Sequence, residues 1–207
     1  MPSTDYYEIR ASLRISYDGG AERRDRQHKQ PWKVAERAAF LLRLKQEGCV
    51  RLLEIGAGTG QDSEFFARHG LDVVATDLSP SMVARCVAKS LDARVMGFAA
   101  LDFEPMSFDA VHAMNCLLHV PDPELPAVLT GIARVLRPRG LFFLGVYGGT
   151  SSAGAVQRDD HVPPRFFAWR TDEEILHFAS EAFDIVDFHV AQDGTEHRFQ
   201  SLTLRGR

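Results

Sequence analysis

The sequence of 207 residues predicts an α/β domain: a seven-stranded, mainly parallel sheet with helices on both faces and an antiparallel C-terminal hairpin. Three observations predict this fold. Short apolar segments alternate with helical patterns five times after Pro31, which is typical of parallel strands joined by helices. A glycine-rich turn at residues 56–60 follows the first apolar segment. Asp193 and Gly194 separate the last two apolar segments, and an Asp-Gly pair between strands favours a hairpin.

Composition and charge limit the classes of function. Hydrophobic residues make up 45% of the chain, an ordinary value for a globular domain. The net charge of −4 implies no strongly basic face, so we expect no nucleic-acid partner. No apolar run approaches the roughly 20 residues that span a bilayer, and the first residues lack the order of a signal peptide. We therefore expect a cytoplasmic protein without a membrane partner; nothing in the sequence indicates an oligomeric state.

The sequence predicts no metal centre. Cys49, Cys86 and Cys116 are odd in number and widely spaced, so we expect free thiols rather than a disulfide or a zinc site. The acidic pair and histidine at residues 159–161 are adjacent in the chain, and adjacent residues rarely point to one ion.

We expect a single domain over residues 1–207, since this length usually folds around one core. Residues 1–30 are polar without a clear period, and they predict a solvated arm; the alternative is a helix that lies over a site as a lid. Residues 31–147 form the predicted core, residues 148–170 a linker rich in Gly, Ser and Pro, and residues 171–207 a last helix and the hairpin.

Capping and turn residues delimit the elements of the first half. Pro31 suits the first position of a helix that Gly48 closes, and Ser79 and Pro80 open another helix as its cap and first residue. The short apolar segments between helical patterns predict strands. The predicted strands occupy residues 50–55, 72–77, 93–97 and 108–114, and the helix between the first two contains Phe65 and Phe66 and ends near Gly70.

The second half is delimited in the same way. A helix begins at Asp122 and runs to Leu136, where Pro138 stops it, and an apolar strand follows at residues 140–147. Thr171 and Glu174 form a capping box at the start of a helix to about residue 182. The last two strands are predicted near residues 183–191 and 197–204.

The glycine turn carries the clearest chemistry. Glycines at 56, 58 and 60 permit positive φ and let a ligand approach the backbone, and the helix that follows offers free N–H groups to an anion. A dinucleotide site prefers Gly-x-Gly-x-x-Gly, whereas here Gln61 stands where the third glycine would be. A nicotinamide-dependent oxidoreductase is therefore an alternative that the spacing disfavours. Asp77 ends the second strand, 21 residues after Gly56, and suits both ribose hydroxyls of either cofactor.

Four segments in order resemble the motifs of class I S-adenosylmethionine-dependent methyltransferases. They are the acidic residue and glycine turn at 54–60, the second-strand end at 77–82, the fourth strand at 108–111 and the turn before the fifth strand at 136–141. The resemblance implies a Rossmann-like fold, S-adenosylmethionine as cofactor and methyl transfer. The short chain, its acidic charge and the aromatic linker favour a small-molecule methyl acceptor.

The resemblance also implies which residues bind the cofactor. Asp77 would bind ribose, Leu78 would flank adenine, and Asn115 and Cys116 would meet the methionine part. The family often has an acid after the third strand, where this chain has Gly97 and Phe98, so adenine would meet backbone N–H groups and the phenyl ring there instead. Together the predicted cofactor-binding residues are Tyr17, Glu54, Gly56, Ala57, Gly58, Gly60, Gln61, Asp77, Leu78, Met82, Gly97, Phe98, Asn115 and Cys116.

Two histidines are the candidate catalytic bases. His119 follows the fourth strand, and a histidine at this place recurs in small-molecule members of the family; His161 lies in the linker beside its aromatic residues. A base helps when the acceptor is a hydroxyl. The alternative for His119 is a packed histidine that supports the loop. Tyr17 and Trp32 would cover the cofactor or simply pack, and the aromatics at 166–169 would line a substrate pocket or seal the sheet edge.

A function of a different class is also open. The missing acid near Phe98 leaves room for a non-catalytic module that binds S-adenosylmethionine to regulate a partner, since fold and function are separable.

Overall fold

The computed structural model describes residues 5–156, 159–192 and 198–207. Helices and strands alternate along the chain as the sequence predicts. The helices are α1 (Tyr6–Asp25), α2 (Pro31–Gln46), α3 (Gln61–Arg68), α4 (Pro80–Ala88), α5 (Leu125–Val135) and α6 (Asp172–Ala182). The strands are β1 (Arg51–Ile55), β2 (Asp72–Asp77), β3 (Asp92–Val95), β4 (Phe108–Met114), β5 (Leu136–Gly148), β6 (Ser152–Ala155), β7 (Phe166–Trp169), β8 (Phe183–Gln192) and β9 (Arg198–Gly206).

Seven strands form one sheet in the order β3-β2-β1-β4-β5-β9-β8. The five strands from β3 to β5 pair in parallel, and β9 pairs antiparallel with both β5 and β8. The predicted fold class is therefore confirmed. The strand order reverses between β1 and β4, and ligands of such sheets bind at the carboxyl ends of the strands beside this reversal.

The core lies on both faces of the sheet because successive side chains of a strand point to opposite sides. On β1, Leu52 packs with the cluster around Phe40 and Phe66 of α2 and α3, while Leu53 packs with the larger cluster that includes α5 and α6. The central strands are almost fully buried, which fits their nearly continuous apolar sequences.

Several predicted caps are confirmed, and several boundaries are wrong. The Ser79 hydroxyl accepts the Met82 N–H, and Thr171 with Glu174 forms the predicted capping box. Asp122–Glu124 is a 3₁₀ turn, so α5 begins only at Leu125. Strand β5 begins at Leu136 rather than residue 140, because a register shift opposite Phe108 accommodates the intervening residues, Pro138 among them, before pairing resumes.

The predicted linker at residues 148–170 contains a second sheet that the sequence analysis missed. Strands β6 and β7 pair antiparallel, and Phe167 and Trp169 stand at alternate positions of β7. The strand pattern is hard to recognise because β6 is only Ser, Ala and Gly. The predicted turn residues Asp193 and Gly194 lie outside the described residues.

The solvated arm predicted for residues 1–30 is wrong for most of its length. Helix α1 spans 20 residues and buries a stripe on one face, and it packs on α4. The stripe escaped notice because only Ile9 and Leu13 are large and apolar, and its other members are small or polar: Ser16, Gly20 and Ala21. The segment is a helix, as the alternative requires, and its role as a lid stays a prediction.

Across the three described ranges, none of the helices combines the length and apolar character needed to cross a membrane.

Candidate functional site

The glycine turn between β1 and α3 has the geometry that its sequence predicts. Gly56, Gly58 and Gly60 all have positive φ, at 63°, 57° and 79°. A Cβ at Gly56 would lie 2.4 Å from Cβ of Cys116, and one at Gly60 would lie 2.9 Å from Sγ of Cys86. A Cβ at Gly58 would meet nothing within 4 Å. Two of these glycines are therefore required by packing, while the middle one faces open space.

Asp77 lies against this turn. Its carboxylate accepts the Gly58 N–H at 2.8 Å and the Ser79 N–H at 2.9 Å. Burial raises the pKa of Asp77 to about 6, although these two hydrogen bonds lower it. Asp77 at the end of β2 and the glycine turn after β1 thus lie side by side, because β1 and β2 are parallel neighbours.

Glu54 sits beneath the turn in a buried polar group. It accepts a hydrogen bond from the Ser63 hydroxyl, and its Oε1 lies 3.4 Å from Nδ1 of His112. Asp62, at the start of α3, binds Lys29 at 2.5 Å and Arg37 at 2.9 Å. Burial alone would raise the pKa of Asp62, but the two cations outweigh it and lower the pKa.

Glu54, Asp62 and His112 bring possible ligand atoms within 4.8 Å of one another, which is the geometry of a candidate metal centre. Both carboxylate oxygens of Asp62 are already occupied by Lys29 and Arg37. Two cations already balance the two carboxylates, so a divalent ion would have to displace a buried ion pair. We therefore interpret the group as the anchor that fixes the α1–α2 connection and α2 to the glycine turn.

Asn115 and Cys116 follow β4 at the other side of the turn. Asn115 has φ of 58°, and its N–H donates to the Gly145 carbonyl at 2.7 Å. Its Oδ1 is buried without a hydrogen-bond partner among the described residues. The Cys116 thiol donates to the Ile55 carbonyl, and burial raises its pKa, so it is a packing residue rather than a nucleophile.

Two cavities meet at this edge of the sheet. The smaller one, of about 60 Å³, lies at the glycine turn and is lined by Glu54, Gly56, Ala57 and Gly58 among others. The larger one, of about 700 Å³, extends toward β6 and β7. The residues that line both are Arg24, Lys29, Lys33, Gln61 and Asn115. The two cavities are therefore neighbours, as a cofactor site and an acceptor site would be.

The predicted adenine-side residues lie under α1 instead of in these two cavities. The Arg10 guanidinium lies 3.3 Å from the position of a Cβ at Gly97, and a Leu78 methyl lies 3.4 Å from the same point. Phe98 packs against the core, and Met82 is only 1% exposed. Helix α1 thus covers this part of the predicted site.

Tyr17 of α1 and His119 face each other between the two predicted sites. The Tyr17 hydroxyl lies 2.6 Å from Nε2 of His119, and Nδ1 of His119 lies 2.6 Å from the Phe166 carbonyl. A carbonyl only accepts, so Nδ1 carries the proton and Nε2 accepts from Tyr17. Burial lowers the pKa of His119 to about 4 and raises the pKa of Tyr17. Both groups are therefore neutral near pH 7.

His161 lies on the other side of Tyr17. Its ring centroid is 5.7 Å from that of Tyr17, and its Nδ1 lies 3.2 Å from Asp159. Asp159 also holds the Arg165 guanidinium through both oxygens, which lowers the pKa of Asp159 despite its burial. Burial lowers the pKa of His161. His161 is not among the residues that line the larger cavity, whereas His119 is.

Trp32 packs rather than covering the cavities. Its ring lies 4.4 Å from that of Phe199, and it lines neither cavity. Four cations and a second tyrosine that line the larger cavity were not predicted as site residues: Arg24, Lys29, Lys33, Arg165 and Tyr147. Charges near the end of α1 were visible in the sequence, but only the path of that helix shows that they face the site.

Comparison with known proteins agrees with this geometry. Residues 52–140 match the family described as a methyltransferase domain. A ubiquinone biosynthesis O-methyltransferase of Xanthomonas campestris pv. campestris is 41% identical over 113 residues, which cover 51% of this chain and 46% of that protein. Its counterpart in Xanthomonas axonopodis pv. citri is 40% identical over 121 residues, 55% of this chain and 49% of that protein. The chain thus spans about half the length of these curated relatives.

Solved structures share the whole fold. The 1,6-didemethyltoxoflavin-N1-methyltransferase of Burkholderia thailandensis, crystallised with 1,6-didemethyltoxoflavin and S-adenosylhomocysteine, has a TM-score of 0.80 at 21% identity and covers 100% of this chain and 92% of that chain. The magnesium protoporphyrin IX methyltransferase of Synechocystis PCC 6803, solved with bound SAM, has a TM-score of 0.74 at 16% identity, with 100% of both chains covered.

The strand order and the glycine turn define a Rossmann-like α/β fold, which the solved methyltransferase structures share. The matched segment, residues 52–140, is similar to the methyltransferase-domain family, which agrees with the resemblance to class I S-adenosylmethionine-dependent methyltransferases.

Proposed function

We propose that the protein transfers a methyl group from S-adenosylmethionine to a small-molecule acceptor. The observation that carries this proposal is that the two cavities adjoin. The smaller cavity lies at the glycine turn, which is hydrogen-bonded to the buried Asp77. Asn115 lines both this cavity and the larger one of about 700 Å³. A cofactor at the turn would place its reactive end at the entrance of the larger cavity.

The residues present fit this cofactor. Gly58 faces open space beside the Asp77 carboxylate, which is the acceptor that two ribose hydroxyls need. Oδ1 of Asn115, which has no hydrogen-bond partner in the described part of the chain, and the buried Glu54 carboxylate offer acceptors for an ammonium group. Leu78 and Gly97 lie together beside the end of β2 under Arg10 of α1, so α1 would open to admit an adenine ring there and close again over the bound cofactor.

The chain's own residues would then bind, orient and exclude water. When bound, S-adenosylmethionine supplies the activated methyl group, so the protein needs mainly alignment and desolvation. Helix α1 covers the site and keeps water from it. For a hydroxyl acceptor, Nε2 of the neutral His119 takes the proton, either directly after Tyr17 shifts or through the Tyr17 hydroxyl. His161, oriented by Asp159, is the second candidate base.

Oxygen is the acceptor atom we favour. The curated relatives are named O-methyltransferases. A hydroxyl acceptor has to lose its proton as it attacks, and the neutral imidazole of His119 can accept that proton. A neutral amine attacks through its lone pair and needs no such base. We place the reaction in the cytoplasm, which is supported by three free cysteines. No nucleic-acid partner is proposed, because the net charge is −4.

We further propose one functional domain, in which α1 is the lid, residues 31–147 hold the cofactor, residues 148–170 face the acceptor and residues 171–207 complete the sheet.

The test is cofactor consumption across an acceptor panel. Purified protein is incubated with S-adenosylmethionine carrying a labelled methyl group and with phenols, catechols and carboxylic acids, and S-adenosylhomocysteine is quantified. Acceptor-dependent formation of S-adenosylhomocysteine supports an enzyme. Binding without consumption across the panel would favour the non-catalytic regulatory module. Binding of NADH alone would favour the oxidoreductase.

A further inference from the structure

Arg165 connects helix α1 with the start of strand β7 at the larger cavity. Its guanidinium lies 5.6 Å from the centre of the Tyr17 ring and 5.1 Å from that of the Phe167 ring. Its Nη1 also donates to the Tyr17 hydroxyl at 3.4 Å. A planar cation against aromatic rings is a favourable arrangement. Arg165 therefore contacts, through its charge and through a hydrogen bond, the tyrosine whose hydroxyl meets His119.

Asp159 fixes the orientation of this guanidinium. One carboxylate oxygen accepts Nε–H of Arg165 at 2.8 Å, and the other accepts Nη2–H at 2.9 Å. The first oxygen also accepts the backbone N–H of Arg165 at 2.8 Å. A two-point pair of this kind sets the plane of the guanidinium as well as its distance. Because Asp159 takes the edge formed by Nε and Nη2, Nη1 is the nitrogen left to reach Tyr17.

His161 stands behind this pair. Its backbone N–H and its Nδ1 lie 3.3 Å and 3.2 Å from the same carboxylate oxygen of Asp159. Its Nε2 lies 3.2 Å from the position of a Cβ at Gly20, so α1 covers the outer side of the ring. The geometry therefore makes His161 a support of Asp159, and His119 is the histidine that reaches the cavity.

The hydrogen bonds of the Tyr17 hydroxyl are divided in a definite way. A phenol has one proton to donate and lone pairs that accept. Nε2 of His119 is an acceptor, so it takes the proton at 2.6 Å, whereas Arg165 can only donate, so it takes a lone pair. Tyr17 lines the larger cavity, so its oxygen can still accept from a ligand hydroxyl there.

From this arrangement we propose that Arg165, held by Asp159, is a positioning residue for the removal of a proton from a hydroxyl acceptor. Arg165 keeps the Tyr17 proton directed at Nε2 of His119 and the Tyr17 oxygen directed at the acceptor. The inference rests on the proposed function and specifies how its candidate base reaches the substrate.

The protons and charges of this step balance. The acceptor hydroxyl gives its proton to the Tyr17 oxygen while Tyr17 gives its own proton to Nε2, so Tyr17 stays neutral and His119 becomes an imidazolium. The acceptor oxygen bonds to the methyl carbon as the carbon–sulfur bond breaks and leaves its electron pair on sulfur. The positive charge lost at sulfur thus appears on His119, where the Phe166 carbonyl and the Asp159 carboxylate favour it against the charge of Arg165. The imidazolium then releases the proton to solvent.

The experiment records NMR spectra of protein saturated with S-adenosylhomocysteine, so it needs no knowledge of the acceptor. Histidine labelled with nitrogen-15 and tyrosine labelled with carbon-13 at Cζ report the two partners, and His119→Gln and Tyr17→Phe assign their signals. In the wild type we expect a Tyr17 hydroxyl proton that is protected from solvent and bound to Nε2 of His119. In Arg165→Gln this proton should exchange with solvent at least about tenfold faster, because a hydrogen bond from a charged donor is lost.

Two further variants test how Arg165 acts. Asp159→Asn keeps the size of the side chain but has one accepting oxygen instead of two, so the two-point pair is lost and exchange should accelerate as in Arg165→Gln. Arg165→Lys keeps the charge without the two-point geometry, and it should also behave like Arg165→Gln.

Arg205→Gln is the matched control. Arg205 makes a two-point pair with Glu47, and its side chain is 18% exposed against 19% for Arg165. The pair joins β9 to the end of α2, and neither residue lines the larger cavity. This variant should leave the exchange of the Tyr17 hydroxyl unchanged.

The outcomes distinguish the two levels of the account. Failure of S-adenosylhomocysteine to bind the wild type would overturn the proposed function and this inference with it. Normal binding of S-adenosylhomocysteine, with a Tyr17 hydroxyl that is unprotected in the wild type or exchanges equally fast in Arg165→Gln, would overturn this inference alone. A wild-type exchange rate in Arg165→Lys would also overturn it, since charge without the two-point pair would then suffice. If Arg165→Gln does not fold, Asp159→Asn decides by the same criterion.

Discussion

The hydroxyl of Tyr17 lies 2.6 Å from Nε2 of His119 and occupies the one lone pair that this imidazole has to offer. A residue of the first helix thus controls the candidate base of the fourth-strand loop, 102 positions away in sequence. With α1 in place, His119 can therefore take a proton only through the Tyr17 hydroxyl, or directly after Tyr17 shifts, so the position of α1 decides how the candidate base would reach an acceptor.

The Tyr17–His119 hydrogen bond can be tested by spectroscopy. Burial lowers the pKa of His119 to about 4, and donation from Tyr17 to Nε2 further favours the neutral ring, so Tyr17→Phe should raise this pKa by part of the difference from its usual value. Nitrogen-15 NMR of labelled histidine, recorded against pH, measures both the pKa and the tautomer. We expect Nδ1 to stay protonated, because the Phe166 carbonyl remains. Tyr147→Phe is the control, and an unchanged or lower pKa in Tyr17→Phe would contradict the arrangement.

Helix α1 is fastened to α4 by two aspartates. Asp18 accepts the Ser79 hydroxyl at 2.5 Å and the Ser81 N–H at 3.0 Å, and Asp25 binds Lys89 at 2.5 Å. Replacing both aspartates by asparagine should loosen the lid and speed dissociation of S-adenosylhomocysteine by roughly three- to tenfold, given about 1 kcal/mol for such part-exposed pairs.

Stopped-flow fluorescence measures the dissociation rate of S-adenosylhomocysteine, and protease cleavage after the arginines of α1 reports opening independently. Asp92→Asn is the matched control, since Asp92 pairs with Arg94 on the exposed strand β3. Equal dissociation rates in the double variant and the wild type would show that α1 is no lid.

Replacement by alanine should cost more stability at Gly60, in the glycine turn, than at Gly70, after α3, although both glycines have positive φ. At Gly60 a Cβ would lie 2.8 Å from a Leu91 methyl and 2.9 Å from the Cys86 sulfur, whereas at Gly70 it would meet nothing within 4 Å. Gly70→Ala should cost about 1–2 kcal/mol from backbone strain alone. Gly60→Ala should cost about 1–3 kcal/mol more, because the core must also yield. Urea unfolding of both variants measures the difference, and equal losses would contradict the packing described.

The sequence predicted the parts of the molecule that local chemistry decides. The glycine turn, the Ser79 cap and the Thr171 capping box depend on residues a few positions apart, and the structure has them. The closeness of Asp77 to Gly58 also followed, because adjacent parallel strands end at one edge.

What the sequence did not predict depends on contacts between distant segments. Helix α1 looked solvated because its buried stripe is mostly small or polar, and only its packing on α4 reveals the stripe. The β6–β7 sheet escaped for the same reason, since β6 has no large side chain. The contacts of Tyr17 with His119 and Arg165 required the position of α1, which no local pattern specifies. The roles of the individual site residues remain predictions that the experiments above address.

The most direct test of the central claim is calorimetric titration of S-adenosylhomocysteine into the wild type and Asp77→Asn between pH 5 and pH 7. Ribose hydroxyls need the ionised carboxylate, whose pKa in the free protein is about 6. Wild-type affinity should therefore be nearly full at pH 7 and fall about tenfold by pH 5, as the carboxylate becomes protonated.

Asp77→Asn should bind at least about tenfold more weakly at pH 7, with the carboxylate hydrogen bonds gone, and should lose most of the pH dependence. The charges of Glu54 and Arg24 also shift the pKa of Asp77, and both residues are unchanged in Asp77→Asn. The difference between the two proteins therefore measures the contribution of the Asp77 carboxylate. Absence of binding to the wild type, or equal affinity of the two proteins at pH 7, would contradict the account.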